Sequence, residues 1–99
     1  MTKIEKLNVA GSEFEGICIG APGGEGHPNM LVITGKKGYI MCGYLNIETA
    51  EKFGDAACVI SGADFNEMLT NPVKAVTSEG EKLGIAEGMT GEQVCEKLV

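Results

Sequence analysis

Cys42 is the residue best equipped for chemistry in this sequence. It stands in Gly38-Tyr39-Ile40-Met41-Cys42-Gly43-Tyr44-Leu45-Asn46, which reads as a buried strand running into a helix cap. The reactive form of cysteine is the thiolate, and a free thiol ionises near about pH 8.5 unless a cation or a helix N-terminus intervenes. The helix cap Asn46 stands four residues after Cys42, so the helix's positive end is a neighbour of the thiol. The lysines Lys36 and Lys37 belong to the far tip of the preceding turn. Cys42 is thus the candidate catalytic residue, and a packed core cysteine is the plainer reading of the same position. His27, the single imidazole, is a conceivable base for a Cys–His pair, but it precedes Pro28 in a glycine-rich loop, where a surface histidine is ordinary. Candidate binding residues are Tyr44, Asn46, Ser61 and Asp64. Tyr44, like Tyr39, offers a ring and a hydroxyl to a pocket. Ser61-Gly62-Ala63-Asp64 follows a strand at its carboxyl end, the edge that ligands favour in α/β sheets. The simpler role of that segment is a turn and a cap.

Other patterns point away from chemistry. Gly20 to Gly26 can cradle an anion with backbone amides, yet it fits neither the P-loop nor the dinucleotide spacing, and Glu25 repels anions. Asp55, Asp64 and Glu67 lack the spacing of a calcium loop. The four cysteines, Cys18, Cys42, Cys58 and Cys95, form no C-x-x-C pair. Zinc sites are built from closely spaced ligand pairs, so no metal and no cofactor is expected. Free, buried thiols in a reducing compartment are the expectation instead.

Composition sets further bounds. The 99 residues suit one domain, and 43% hydrophobic with 22% charged residues suits a globular one. Fourteen acidic residues against eight basic ones give a net charge of −6, and every basic residue is lysine. Nucleic acid, which is bound by releasing counterions from phosphate, is not an expected partner. Bidentate guanidinium recognition of phosphate is unavailable to a chain without arginine. No apolar run approaches the about 20 residues of a membrane span, and the N-terminus has no apolar signal core. A cytoplasmic location follows as an expectation.

The elements that position these residues read as mixed α/β. An antiparallel β meander comes first, and short βα units follow in a single small domain. Residues 1–45 are mainly β, and residues 46–99 alternate helix and strand. Ile4 to Val9 and Phe14 to Ile19 form a hairpin around Ala10-Gly11-Ser12. Met30 to Thr34 and Tyr39 to Leu45 flank the turn Gly35-Lys36-Lys37-Gly38. Asn46 caps a helix over Ile47 to Phe53 that stops at Gly54. Asp64 with Glu67, Ser78 with Glu81, and Thr90 with Gln93 have capping-box spacing. Ala56 to Ile60 and Val73 to Thr77 are the later strands, and strand–helix–strand connections predict parallel pairing. Gly80 costs its helix about 1 kcal/mol relative to alanine.

Met30 to Ile33 and Tyr39 to Cys42 are apolar at consecutive positions, the mark of strands covered on both faces. The short helices supply one cover. A second subunit supplying the other predicts a homo-oligomer, a dimer or tetramer, with the N-terminal strands at the interface.

The run Val32 to Glu48, then Gly54-Asp55-Ala56-Ala57 and Leu83 to Gly91, resembles the YunC-like family, the domain of unknown function 1805. The Met-Cys-Gly-Tyr-Leu-Asn block is its most specific part. The resemblance implies a fold and a tetramer built on the N-terminal β region. It implies no reaction and no catalytic residues. Ser78 to Met89 also resembles the helix and Gly-Ile-x-x-Gly-Met turn of Y-family DNA polymerases. Ser78 and Glu81 stand where that family has its triphosphate-binding Tyr and Arg, so the likeness implies a strand–helix–turn–helix and no nucleotide site. Three readings emerge: an oligomer that binds a small molecule or protein partner, a thiol enzyme or redox sensor using Cys42, and a structural subunit of a larger assembly.

Overall fold

The computed structural model describes residues 1–99. Its strands are β1 (Thr2–Val9), β2 (Ser12–Ile19), β3 (Met30–Thr34), β4 (Tyr39–Met41), β5 (Ala57–Val59) and β6 (Ala75–Val76). Its helices are α1 (Ile47–Lys52), α2 (Phe65–Thr70), α3 (Ser78–Lys82) and α4 (Gly91–Lys97). The six strands make one sheet whose order follows the chain, β1-β2-β3-β4-β5-β6. The first three ladders are antiparallel, as the meander reading requires. No helix is long and apolar enough to cross a membrane.

The β1–β2 hairpin closes through Ala10 at φ 52° and Gly11 at φ 79°. Two successive left-handed residues make the two-residue turn whose twist matches paired strands. β4 is shorter than the sequence suggests. It ends at Met41, and Cys42 to Leu45 leave the sheet as a turn rather than continuing the strand. Cys42 still donates its N–H to the Leu31 carbonyl at 3.1 Å, so it is held in line with β4.

β4 and β5 are the one parallel pair, joined through α1. The expected parallel pairing fails for β5 and β6, which run antiparallel. Only Ala75 and Val76 remain of the anticipated Val73 to Thr77 strand. Val73 turns its backbone elsewhere, donating to Met89 O at 2.8 Å and accepting from Gly88 N at 3.0 Å.

One sheet face carries the main core. Leu31, Ile33, Ile40 and Cys58 point into it, and Phe65, Met68, Ile85, Val94 and Leu98 from the C-terminal half cover them. Each such side chain contributes about 1.5–3 kcal/mol by leaving water. Gly16 permits this packing, because a Cβ there would lie 2.8 Å from the Phe65 ring. On the other face α1 covers only the β4–β5 region, through Ala50 and Ile47 against Met41, Ala57, Tyr39 and Val59.

The caps at Asn46, Asp64 and Thr90 form as their sequence patterns predict. Thr90 and Gln93 make the full reciprocal box. At α3 the cap is Thr77, one residue before the expected Ser78. The buried Thr77 hydroxyl accepts from Gly80 N and Ala57 N and donates to Asp55 O at 2.7 Å. Ser78 is instead bound by the Glu51 carboxylate, at 2.8 Å to its N–H and 2.9 Å to its hydroxyl.

Candidate functional site

The parallel pairing of β4 and β5 places their carboxyl ends side by side. β3 is antiparallel to β4, so the residues that enter β3 lie at the same end. Three chain segments therefore meet there: Pro28-Asn29 before β3, Cys42-Gly43-Tyr44 after β4, and Ser61-Gly62 after β5. Together they line a cavity of about 320 Å³. Edges of this kind, outside the carboxyl ends of parallel strands, are where open α/β sheets bind ligands.

Cys42 is 4% exposed and belongs both to the core and to the cavity wall. Its sulfur accepts the Leu31 N–H at 3.3 Å, which fixes the side chain. Tyr44 is 44% exposed and donates its hydroxyl to Pro28 O at 3.4 Å. Asn29 pins the wall with both ends of its amide. Its oxygen accepts from Ala21 N at 3.0 Å, and its nitrogen donates to Ala63 O at 2.9 Å. The glycine-rich loop and the turn before α2 are thereby tied to one wall residue of the cavity. No carboxylate and no lysine is in the lining.

Of the residues singled out in the sequence, the cavity gathers Cys42, Tyr44 and Ser61. Asn46 and Asp64 lie outside it and serve as caps, accepting from Glu48 N and Glu67 N at 2.8 Å each. Asn46 also borders a separate hollow of about 260 Å³ with Tyr39 and Asp55. His27 is exposed, lies outside the cavity wall, and sets its imidazole against Gly23. Pro28, Asn29, Gly43 and Gly62 escape a reading of side-chain chemistry, because three of them have no polar side chain and Asn29 acts through distant backbone groups.

The other cysteines differ from Cys42. Cys18 is half-buried, and Cys58 and Cys95 are fully buried. Burial, reinforced by the nearby Cys95, pushes the Cys58 thiol up to about 12. Burial and then the Glu92 charge raise Cys95 to about 11. Both are core thiols, protonated across the physiological range.

A family model described as "Domain of unknown function (DUF1805)" matches residues 41–98, from the last residue of β4 to Leu98. The chain belongs to the DUF1805 family. The matched region holds two of the three cavity segments. The curated relative "Uncharacterized protein YunC" of Bacillus subtilis (strain 168) is 27% identical over 104 residues, covering 100% of this chain and 99% of its own. Among solved structures, the crystal structure of a protein of unknown function, TA1206 from Thermoplasma acidophilum, superposes with a TM-score of 0.88 at 34% identity. That match covers 100% of this chain and 94% of the other. DUF1805 is a family of unknown function, and the descriptions of these relatives state no ligand or reaction.

Proposed function

We propose that this DUF1805 chain binds a small organic molecule in the crevice at the carboxyl ends of β4 and β5. The cavity lined by Cys42, Tyr44 and Ser61 carries this reading. Its volume lies at the small end of the about 300–1,000 Å³ typical of ligand sites, so the ligand is compact. The uncharged lining and the net charge of −6 favour a neutral molecule over an anion. Titration with a library of neutral compounds, followed by amide chemical shifts, tests it. Shifts are expected at Asn29 and at residues 42–44 and 61–62; shifts confined to other surfaces would sink the proposal.

A second reading, thiol chemistry at Cys42, is favoured by the presence of that one cysteine in the wall. It predicts that Cys42 is alkylated faster than Cys58 and Cys95. Equal rates for all three would remove it.

The chain is further proposed to assemble with copies of itself through the open face of β1, β2 and β3. Ile4, Ile17 and Val32 are cross-strand neighbours there, in register with the buried Met41. Ile4 is 66% exposed, and α1 does not reach this part of the sheet. An apolar row of this kind is what a partner subunit covers.

A further inference from the structure

Gly43 is the one glycine of fifteen that the fold does not ask for. Six of the others have φ in the left-handed region. The remaining eight would bring a Cβ within 3.1 Å of a neighbouring atom. Gly43 has no positive φ, and a Cβ built on it meets nothing within 4 Å. Glycine at such a position costs conformational entropy without a steric return. Yet Gly43 is in the wall of the cavity, directly after Cys42.

A second observation concerns the same wall. No carbonyl of the chain accepts from the N–H groups of Gly43, Ser61 or Gly62. All three residues line the cavity, which offers no carboxylate and no lysine. Donors without internal partners, in an uncharged setting, suit a ligand that brings a hydrogen-bond acceptor and no charge. A carbonyl oxygen meets that description.

We infer that Gly43 is the size-determining residue of this site, keeping open the space through which a small neutral carbonyl compound reaches the backbone beside Cys42. The inference rests on the proposed ligand site. Close approach of a ligand to backbone is a use that only glycine serves without obstruction.

Two thiol probes of equal size and different charge test it: iodoacetamide, a neutral amide, and iodoacetate, its anionic counterpart. Rates are read at each cysteine by mass spectrometry and normalised to the same cysteine in the denatured chain. In the wild type, Cys42 is expected to react faster than Cys58 and Cys95, and to favour iodoacetamide after normalisation. In Gly43→Ala the Cys42 rate with iodoacetamide should fall about tenfold, equivalent to about 1.4 kcal/mol. The variant should melt no lower than the wild type and keep its solution mass. Gly62→Ala serves as the contrasting variant, since a Cβ there would meet Met68 N at 2.8 Å and lower the melting temperature. A wild-type Cys42 as inert as Cys58 would overturn the inference, whereas amide shifts absent from residues 42–44 and 61–62 would overturn the site itself. A reactive wild type with an unchanged rate in Gly43→Ala, or a normalised preference for iodoacetate, would overturn the inference while leaving the site standing.

Discussion

Single side chains do two kinds of work in this molecule. Thr77 satisfies the start of β5 and the start of α3 with one hydroxyl, and Asn29 joins two loops with one amide. Tyr39 is the residue whose role pH can expose. Its hydroxyl donates to Asp55 Oδ2 at 2.6 Å. Partial burial, the hydrogen bond to Asp55 and its negative charge push the phenol up from 10.0 to about 12. The unfolded chain therefore loses this proton first as pH rises. The stability it contributes is full below about pH 10 and is lost as pH climbs toward 12. Cys58 and Cys95 act in the same direction from pH 9.0 upward. Tyr39→Phe should lower the urea midpoint at neutral pH and flatten its decline above pH 10; parallel curves for variant and wild type would contradict the assignment. At this scale the sequence exposes Cys42, Tyr44 and Ser61 because their chemistry is visible in their type. Asn29 was hidden because its partners lie 8 and 34 residues away.

Among the elements, α3 depends most on its neighbours. It has five residues with glycine third, a poor helix in isolation. Gly80 is present because α3 crosses the sheet edge closely: a Cβ would lie 2.7 Å from Val76 Cγ2 and 3.1 Å from Ala57 O. Gly80→Ala trades a propensity gain of about 1 kcal/mol against an overpacking cost of about 1–3 kcal/mol. The expected result in chemical denaturation is a net loss, and a stabilised variant would mean that α3 rides higher than described. The capping patterns were readable from Asn46, Asp64 and Thr90, each alone at its helix start. Thr77 and Ser78 are adjacent hydroxyls, and spacing to Glu81 selected the wrong one. Burial decides between them, and burial is not written in two neighbouring letters. The β5–β6 direction was equally illegible, since a two-residue strand carries no pattern of its own.

For the whole molecule, the two-faced apolar strands gave the architecture and the open question together. The meander and the β4–α1–β5 unit follow from the apolar runs and turn residues of the first 60 positions. The uncovered row of Ile4, Ile17 and Val32 bears on assembly. Light scattering at micromolar concentration should give a mass above that of one 10.4 kDa chain. Ile4→Glu, at a position 66% exposed, should reduce that mass without unfolding the chain. A wild type that runs as a monomer would retire the proposal. The sequential strand order has a consequence for synthesis. Each ladder joins neighbours along the chain, and the β1–β2 turn is only two residues long, so the first closure costs little entropy. The sheet can zip from its first hairpin as the chain leaves the ribosome. Its cover cannot, because Val94, Cys95 and Leu98 arrive last and the Leu98 carbonyl takes the Lys37 N–H at 3.1 Å. A nascent chain held just short of α4 therefore displays its sheet with the apolar face covered only in part, by α2 and Ile85, until α4 arrives.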